Sequence, residues 1–460
     1  MASIASALRH IKDNPLGVID RETVERVCRE HGHEWRDREL DPATTVALFA
    51  QQIVHGNCPC TEVRHLARGH SFTAQAYCEA RQRLPLVVYQ DLLTAVCDAV
   101  MPQTHRKELL WHGHRTFHVD GSTFSMCDTP ELQKAFGIPA GQKEGCGFPV
   151  AHLLVLFSAS TGLLVNAWAS PLRTGDMAQT AEAHLHLDKG DVLIGDDTFS
   201  GYAHLAMLQK QGLHGLFPAH HLRIVDFTKG RPHTGENNPQ AGVPRSRWIK
   251  SLGKEDQLVE YFKSATKPLW MSEQDYEQLP DSIVVRELRR TVRRPGLGHV
   301  TLTLVTTLTD PKKYSAAELL ELRLRRWDVE TCIGHVKTTM GMDVLHCKSE
   351  EGARKELAVF CLVYNLVRAV MLEASRRQEV PVARISFADV LHWMRHARPG
   401  EGLPKFVVNR RRPDRAEPRC RKRRPKKYHL MNKPRDVLRE DLRKKHNEKS
   451  GKTSVKARLT

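Results

Sequence analysis

Short β-like and helical runs alternate between residues 111 and 221, and this alternation constrains the fold more than any other feature of the chain. The β-like runs lie at 116–119, 152–158, 163–169, 191–194 and 213–218, and the helical runs at 129–136, 176–187 and 202–211. Strands and helices that alternate in this way bury their apolar faces against each other in layers. The pattern therefore predicts an α/β fold with a sheet flanked by crossing helices.

A charged helix is predicted downstream, at residues 315–340, where Ser315 and Glu318 have the spacing of a capping box. An α-helix turns about 100° per residue, so offsets of 4 and 11 residues return to nearly the same face. The charged residues on or near that face are Arg323, Arg326, Glu330 and Lys337. A carboxylate among cations is unfavourable in a core, but it suits a metal ion and a phosphate backbone.

The whole chain divides into five regions by composition and pattern. They are a helical region (1–110), an α/β region (111–221), a β-rich insertion (222–308), a second α/β part that contains the Glu330 helix (309–398) and a basic tail predicted to be flexible (399–460). In the first region, helices predicted at 61–68 and 73–84 have a glycine between them. The second would expose Gln75, Tyr77, Arg81 and Arg83. A DNA-reading helix pair and a plain helical bundle both fit this pattern.

The formal net charge of +17 and the pI near 9.5 predict a polyanionic partner. Residues 405–460 contain 22 Lys and Arg against 6 Asp and Glu, so this tail carries nearly all of the excess. Either it contacts nucleic-acid phosphates or it is a solvated end. We expect no membrane span, because no apolar run approaches the required length of roughly 20 residues. The eleven cysteines show no repeating pattern, which favours a reducing compartment and a cytoplasmic location.

Three carboxylates are candidates for chemistry. Asp120 and Asp196 follow predicted strands, at the positions where an α/β sheet presents functional groups, and Glu330 lies on the charged helix. Brought together, they would repel unless cations neutralise them, and a pair of Mg²⁺ or Mn²⁺ ions would supply that charge for phosphoryl transfer. Taken singly, each has a structural alternative: a turn, a helix cap or a surface ion pair. Asp176 likewise either supports the site or caps a helix.

These motifs resemble those of DDE transposases of the insertion-sequence-4 (IS4) family. The matching segments are Val119-Asp120-Gly121-Ser122-Thr123, Ile194-Gly195-Asp196-Asp197-Thr198-Phe199 and Arg326-x3-Glu330-x6-Lys337. The family pattern has arginine where this chain has Asp197, and tyrosine where it has Arg323. The resemblance implies a ribonuclease-H-like catalytic domain with a mixed sheet, and it covers roughly residues 40–375.

The resemblance also implies roles for the matched positions. Asp120, Asp196 and Glu330 would be catalytic and would bind two Mg²⁺ or Mn²⁺ ions. Arg326 and Lys337 would hold phosphates of double-stranded DNA, and Arg323 could contact phosphate too. Trp270, in the β-rich insertion, either supports a flipped base or packs in the core.

As a member of this family, the protein would excise an insertion sequence at its terminal inverted repeats and join it to target DNA, as a homodimer associated with the bacterial nucleoid. Two alternatives remain open. One is a related nuclease without strand transfer, and the other is an inactive, repurposed DNA-binding protein.

Overall fold

The structure is a computed structural model, and it describes most of the 460-residue chain. The described residues are 21–67, 69–100, 109–140, 145–234, 242–294, 298–325, 327–396, 402–410 and 432–444. Arg326, which the sequence predicts to bind DNA, lies outside them.

The described residues of the N-terminal region form five helices. They are α1 (Arg21–Glu30), α2 (Pro42–Val54), α3 (Cys60–Leu66), α4 (Ala74–Arg83) and α5 (Leu86–Val100). The predicted start of α2 is confirmed, since Asp41 accepts a hydrogen bond from the Thr44 amide at 2.7 Å. On α4 the predicted exposed surface is partly wrong. Tyr77 is buried and donates to Gln52 at 2.8 Å, and the Arg81 guanidinium lies 3.6 Å from the Phe49 ring centroid. Both side chains are used in packing, which favours the bundle interpretation.

One nine-stranded mixed sheet forms the centre of the protein and confirms the α/β prediction. Its strands are β1 (Thr116–Ser125), β2 (Val150–Ser158), β3 (Leu164–Pro171), β4 (Val192–Ile194), β5 (His214–Pro218), β6 (Arg247–Gly253), β7 (Asp256–Phe262), β8 (Ser282–Arg294) and β9 (Gly298–Thr306). Their order is β3-β2-β1-β4-β5-β9-β8-β7-β6. β1, β4 and β5 are parallel, and the other neighbours are antiparallel. The region predicted as a β-rich insertion therefore extends the same sheet, because β9 pairs with β5.

Further helices connect the strands and cover the sheet. They are α6 (Pro130–Phe136), α7 (Thr180–His184), α8 (Tyr202–Lys210), α9 (Glu273–Glu277), α10 (Ala316–Leu324), α11 (Trp327–Gly334), α12 (Glu350–Gln378) and α13 (Phe387–His396), with short 3₁₀ turns at Asp176–Gln179, Asp197–Ser200 and Val382–Arg384. A π-helical turn, His335–Thr339, follows α11.

The charged helix predicted at 315–340 is interrupted, which corrects the single-helix expectation. Its predicted capping box is confirmed at Ser315 and Glu318. However, α10 ends at Leu324 and α11 begins at Trp327. The reason is tertiary packing, since leucines of α10 belong to a core beside β4 and β5, whereas Val329 of α11 packs in the core around α12. The π-turn then changes the angular spacing between Glu330 and Lys337, so the shared-face arithmetic of an ideal α-helix does not apply.

Helix α12 is the core helix of the protein. Its central residues 357–374 carry only two charged side chains, and by length and hydropathy it could cross a membrane, with a mean hydropathy of 1.8 over its most apolar window. The expectation that no run approaches this length is therefore wrong. That window is 94% buried inside the protein, so the apolar surface serves packing. Asn365 uses its side chain to pair with the N–H and C=O of Leu164, each at 2.8 Å, which covers the exposed edge of β3.

Apolar side chains pack on both faces of the sheet. On one face, residues of β2 and β3 share a core with α1, α2, α5, α11 and α12, and residues of β4 and β5 share a smaller core with α10. On the other face, Phe117, Val119 and Leu193 pack with residues of α8 and of β7, β8 and β9. The N-terminal helices thus share a core with the sheet.

Two segments of the basic tail contact the rest of the protein, so the predicted flexibility does not hold for them. In 402–410, Phe406 is buried and Val408 forms a β-bridge with Ile385. In 432–444, Nε of Arg435 lies 2.6 Å from Oδ2 of Asp128. The other residues of 399–460 lie outside the described part of the chain.

Candidate active site

Asp120 lies on β1, and Asp196 lies just after β4, the parallel neighbour of β1. β1 and β4 pair with His118 opposite Ile194, and each aspartate is two residues beyond its member of that pair. Neighbouring strands are about 4.8 Å apart, and the chain advances equally along both. The two aspartates therefore have adjacent backbones at the carboxyl end of β4. The sequence predicts a strand end before each of them, and this is wrong for Asp120, because β1 continues to Ser125 and Asp120 lies in its middle.

The alternation of side chains along β1 shows which face Asp120 occupies. Phe117 and Val119 pack on the α8 face, and Phe124 packs on the face covered by α11 and α12. Since successive strand residues point to opposite faces, Asp120 and Ser122 lie on the same face as Phe124. Asp120 is half-buried there.

The segment that follows Glu330 is attached to the same face. Lys337 donates a hydrogen bond from Nζ to Oγ of Ser122 at 3.0 Å. Further along, the Ser125 amide donates to the Asp343 carbonyl at 3.0 Å, and Ser125 forms a parallel bridge with Val344. Lys337 and Val344 thus both lie beside residues 122–125 of β1, and the chain between them forms a turn in which the Asp343 amide donates to the Lys337 carbonyl at 3.2 Å. Glu330 itself is an exposed residue of α11, next to the buried Val329.

Asp176 supports the same strands from the opposite face. A Cβ atom on Gly121 would overlap the Asp176 carboxylate, so the absence of a side chain at 121 lets that carboxylate lie directly against β1. Nε2 of His152, on β2, lies 2.6 Å from Oδ1 of Asp176. The sequence allows two roles for Asp176, support of the site or a helix cap. It gives no signal for His152, which has the pattern of an ordinary strand residue.

Negative charge is concentrated around Asp196. Burial raises the pKa of the Asp196 carboxyl, hydrogen bonds from Thr198 lower it, and the negative charges of Asp176 and Asp197 raise it further, so that the net shift is upward. Burial also lowers the pKa of the Lys337 ammonium, against the opposing effect of Asp343. A site that disfavours the ionised carboxylate in this way favours a nearby cation.

The other predicted DNA-binding residues are Arg323 and Trp270, which the structure describes, and Arg326, which it does not. Arg323 is a half-buried residue in the last turn of α10, and Arg326 is not described. Trp270 is partly buried against the core on the α8 face, beside the fully exposed Leu269. This position is the packed one that the sequence left as an alternative for Trp270.

A different group of ligating side chains lies beside Asp196. A carboxylate oxygen of Asp197 and one imidazole nitrogen each of His220 and His221 all lie within 4.8 Å of one another. Among the residues that the structure describes, the oxygens of Asp120, Asp196 and Glu330 do not form so compact a set. A pair of ions about 3.5–4 Å apart needs a wider set of ligands than a single ion does. The sequence singled out Asp197 only as a departure from a family pattern and did not connect it with the two histidines.

Comparison with known proteins identifies the family. The model of the family described as "Transposase DDE domain" matches residues 111–366, more than half of the chain. The chain belongs to the DDE transposases. The matched region contains all three carboxylates, the half-buried Lys337 and most of α12, whereas the N-terminal helices and the basic tail lie outside it.

Individual relatives agree with this assignment. The transposase InsG for insertion sequence element IS4, from Escherichia coli (strain K12), is 26% identical over 380 residues, which are 77% of this chain and 77% of the relative. The putative transposase InsZ from the same strain is 28% identical over 112 residues, 24% of this chain and 38% of the relative. The protein is thus an IS4-type DDE transposase, an enzyme that acts on DNA. Divalent metal ions are used in the chemistry of this family.

Among solved structures, a cryo-EM structure of a piggyBac transposase synaptic complex with hairpin DNA is similar at a TM-score of 0.41 and 8% identity. The match covers 86% of this chain and 80% of that one. A likeness this weak carries no argument about fold or site.

Proposed function

We propose that this transposase excises its insertion sequence at the terminal inverted repeats and joins the freed ends to target DNA, with Asp120, Asp196 and Glu330 as the catalytic carboxylates. The observation that carries the proposal is the parallel register of β1 and β4, which makes the two aspartates neighbours. The mixed sheet with helices on both faces supports a ribonuclease-H-like catalytic domain made of 111–221 and 309–398.

The proposed position of Glu330 follows from the attachment of the segment after it. Lys337 lies beside Ser122, and Val344, after the turn that follows, pairs with Ser125 of the same strand. Glu330 precedes Lys337 by seven residues, which is at most about 10 Å along the axis, since the π-turn that begins at His335 rises less per residue than an α-helix. Asp120 precedes Ser122 by two residues, about 7 Å along a strand. We propose that α11, traced back from Lys337, brings Glu330 near Asp120 on the same face of the sheet.

The donor set fits two Mg²⁺ or Mn²⁺ ions. All three proposed ligands offer carboxylate oxygen, which hard cations prefer, and Asp196 lies in surroundings that disfavour its own negative charge. When bound, such a pair of ions supplies an activated water and stabilises the leaving oxygen of an in-line displacement. In this arrangement Asp176, held by His152, keeps β1 and the 3₁₀ turn after β4 in place.

Proposed DNA contacts surround these carboxylates. Lys337 has its ammonium on the Asp120 face, where it can reach a phosphate, and we propose the same role for Arg323 and Arg326. Trp270 is proposed to contact DNA only if the insertion moves, because it now lies against a core. The basic residues 405–460 add nonspecific phosphate contacts, and the N-terminal region is proposed to bind the ends. We further propose a homodimer on double-stranded DNA that acts in the cytoplasm, at the nucleoid.

Strand transfer separates this proposal from a nuclease of the same fold. Duplex oligonucleotides that carry the inverted repeats flanking the gene are incubated with the full chain and Mg²⁺, first intact and then precleaved to expose the 3′ ends. We expect cleavage of the first substrate and joining of the second to a target plasmid. Cleavage without joining would identify a nuclease. Binding without either reaction in Mg²⁺ or Mn²⁺ would identify a repurposed DNA-binding protein.

Replacing Lys337 by glutamine should weaken the binding of transposon-end DNA by about tenfold or more, because a hydrogen bond to a charged group is worth about 1.5–3 kcal/mol. The slope of log affinity against log salt should fall by about 1, since one fewer phosphate is neutralised. Fluorescence anisotropy at several salt concentrations measures both quantities.

Lys210→Gln is a matched control for this variant. Nζ of Lys210 donates to Oε1 of Gln278 at 2.9 Å, much as Lys337 donates to Ser122, but Lys210 is exposed at the end of α8, on the opposite face of the sheet. It should leave both the affinity and the slope unchanged. If the two variants behaved alike, Lys337 would have no specific role in DNA binding.

A further inference from the structure

Asp197, His220 and His221 are brought together by the ends of two parallel strands. β4 and β5 pair with Ile194 opposite Leu216, and the three residues follow these strands within a few positions. Parallel strands end at the same edge of a sheet, so the turn after β4 and the turn after β5 lie side by side. Nδ1 of His221 is 3.4 Å from Oδ2 of Asp197, and the rings of His220 and His221 have centroids 4.3 Å apart.

A buried hydroxyl holds the two turns in this arrangement. Ser200 is fully buried, and its Oγ donates to the Asp197 carbonyl at 2.7 Å and accepts from the His220 amide at 3.1 Å. The backbones that carry the carboxylate and the first imidazole are therefore linked through one side chain. Arrangement of ligands by a buried scaffold reduces the ordering cost of binding.

We propose that Asp197, His220 and His221 bind one divalent transition-metal ion of the zinc class, at a site separate from the proposed Asp120–Asp196–Glu330 centre. Two imidazoles and one carboxylate are ligands that Zn²⁺ accepts readily, whereas Mg²⁺ prefers oxygen alone. Three protein ligands leave one position of a tetrahedral ion open for water or a phosphate oxygen. The inference does not depend on the proposed strand transfer, because it concerns binding only.

Modest side-chain movement would complete the site. Zinc–ligand bonds are about 2.0–2.2 Å, so three atoms spread over as much as 4.8 Å have to close by roughly 1 Å. The side chains have room to do so, since that of Asp197 is 36% exposed and that of His221 is 72% exposed. Without an ion, an exposed Asp–His pair of this kind is worth about 1 kcal/mol or less. Stability therefore gives little reason for this particular grouping.

A bound ion would change the electrostatics of the neighbouring centre. Asp197 is adjacent in sequence to Asp196. With a divalent ion bound, the cluster of Asp197, His220 and His221 would change from a net negative charge to a net positive one. That positive charge would lie at the same edge of the sheet as the proposed catalytic carboxylates. It would attract a DNA phosphate at this edge, where the acidic side chains alone would repel it.

The test titrates the purified full chain, first stripped with a chelator, with Co²⁺ in the presence of excess Mg²⁺, and follows visible absorption. Zn²⁺ competition then gives the affinity for zinc. We expect one Co²⁺ bound through nitrogen and oxygen, without the intense charge-transfer bands of cysteine ligation. His220→Ala and His221→Ala should each weaken binding at least tenfold, since even partners that only support a metal ligand are worth 10–100-fold.

Matched variants distinguish this site from its neighbours. His65→Ala removes an exposed histidine on α3 and should bind like the parent protein. Asp120→Asn should also retain the ion, because Asp120 belongs to the other centre. If Asp120→Asn lost the ion together with the histidine variants, the ion would belong to the carboxylate centre and the proposal would be wrong.

The alanine variants could lose the metal because they misfold. Asp197→Asn tests the site without that ambiguity, because it preserves the shape of the side chain and removes only its charge. It should weaken binding at least tenfold while the thermal unfolding of the chelated protein stays like that of the parent. Undiminished Co²⁺ binding in Asp197→Asn and His221→Ala would show that these residues hold no metal.

Discussion

Asp120→Asn should lower the rate of Mg²⁺-dependent cleavage of transposon-end DNA by about 10³-fold or more while leaving DNA binding intact. A metal ion contributes several kcal/mol of charge stabilisation in the transition state, and each 1.36 kcal/mol is a factor of ten in rate. Asparagine keeps the size and one carbonyl oxygen of aspartate but removes the charge that holds the ion. Single-turnover cleavage of labelled end DNA, together with its dissociation constant, measures both effects.

Asp188→Asn is the control for this result. Asp188 precedes β4, at the edge of the sheet opposite to Asp196, and its exposed carboxylate pairs with Arg115 just before β1. The same substitution is thus made beside the same two strands, but away from the proposed centre, and it should leave the rate within about twofold. Parent-like cleavage by Asp120→Asn in Mg²⁺ would show that the carboxylate centre is assigned wrongly.

Local signals in the sequence predicted much of the fold. Alternating apolar runs marked the strands on either side of Asp120, and the Ser315–Glu318 spacing marked the start of α10, whose capping box is present. Such features depend only on residues a few positions apart, so they form in the same way whatever the tertiary structure around them. The strand-end position predicted for Asp196 is confirmed, whereas β1 extends five residues past Asp120, because its later residues pair with β2.

Features that depend on distant contacts could not be predicted in the same way. Nothing near Arg325 breaks a helix by propensity, since no proline or glycine is present there. The interruption arises because α10 and α11 pack on different cores. Likewise, the pairing of β5 with β9 joins residues about 90 positions apart, which no local pattern encodes.

The grouping of Asp197 with His220 and His221 was missed for a related reason. The histidines lie more than twenty residues downstream, and adjacent histidines match no familiar metal-ligand spacing. A usable signal was nevertheless present. If β4 and β5 are parallel neighbours, polar residues just after each strand are expected to meet.

Arg286→Met should destabilise the protein by about 3–5 kcal/mol, the cost of removing one partner from a buried ion pair. The Arg286 side chain on β8 is 1% exposed and that of Asp256 on β7 is 5% exposed. They are joined by two hydrogen bonds of 2.8 and 2.6 Å. Arg286 also donates to the carbonyl of Tyr314 at 2.7 Å, one residue before the capping box of α10. The variant would leave a buried carboxylate without its counter-charge and loosen the segment that leads to Glu330.

Arg247→Met tests whether burial causes this loss. Arg247 pairs with Glu260 directly across β6 and β7 of the same sheet, but its side chain is 56% exposed. The Glu260 side chain is 14% exposed, but it keeps the hydrogen bond from Ser282, and the arginine side of the pair is in solvent, so the shift in the urea midpoint should be smaller than that of Arg286→Met. The double variant Arg286→Met/Asp256→Leu should recover part of the loss, since it removes the stranded charge. If Arg286→Met cost no more than Arg247→Met, water would have to reach the pair, and the packing of α10 against β8 would be looser than the structure shows.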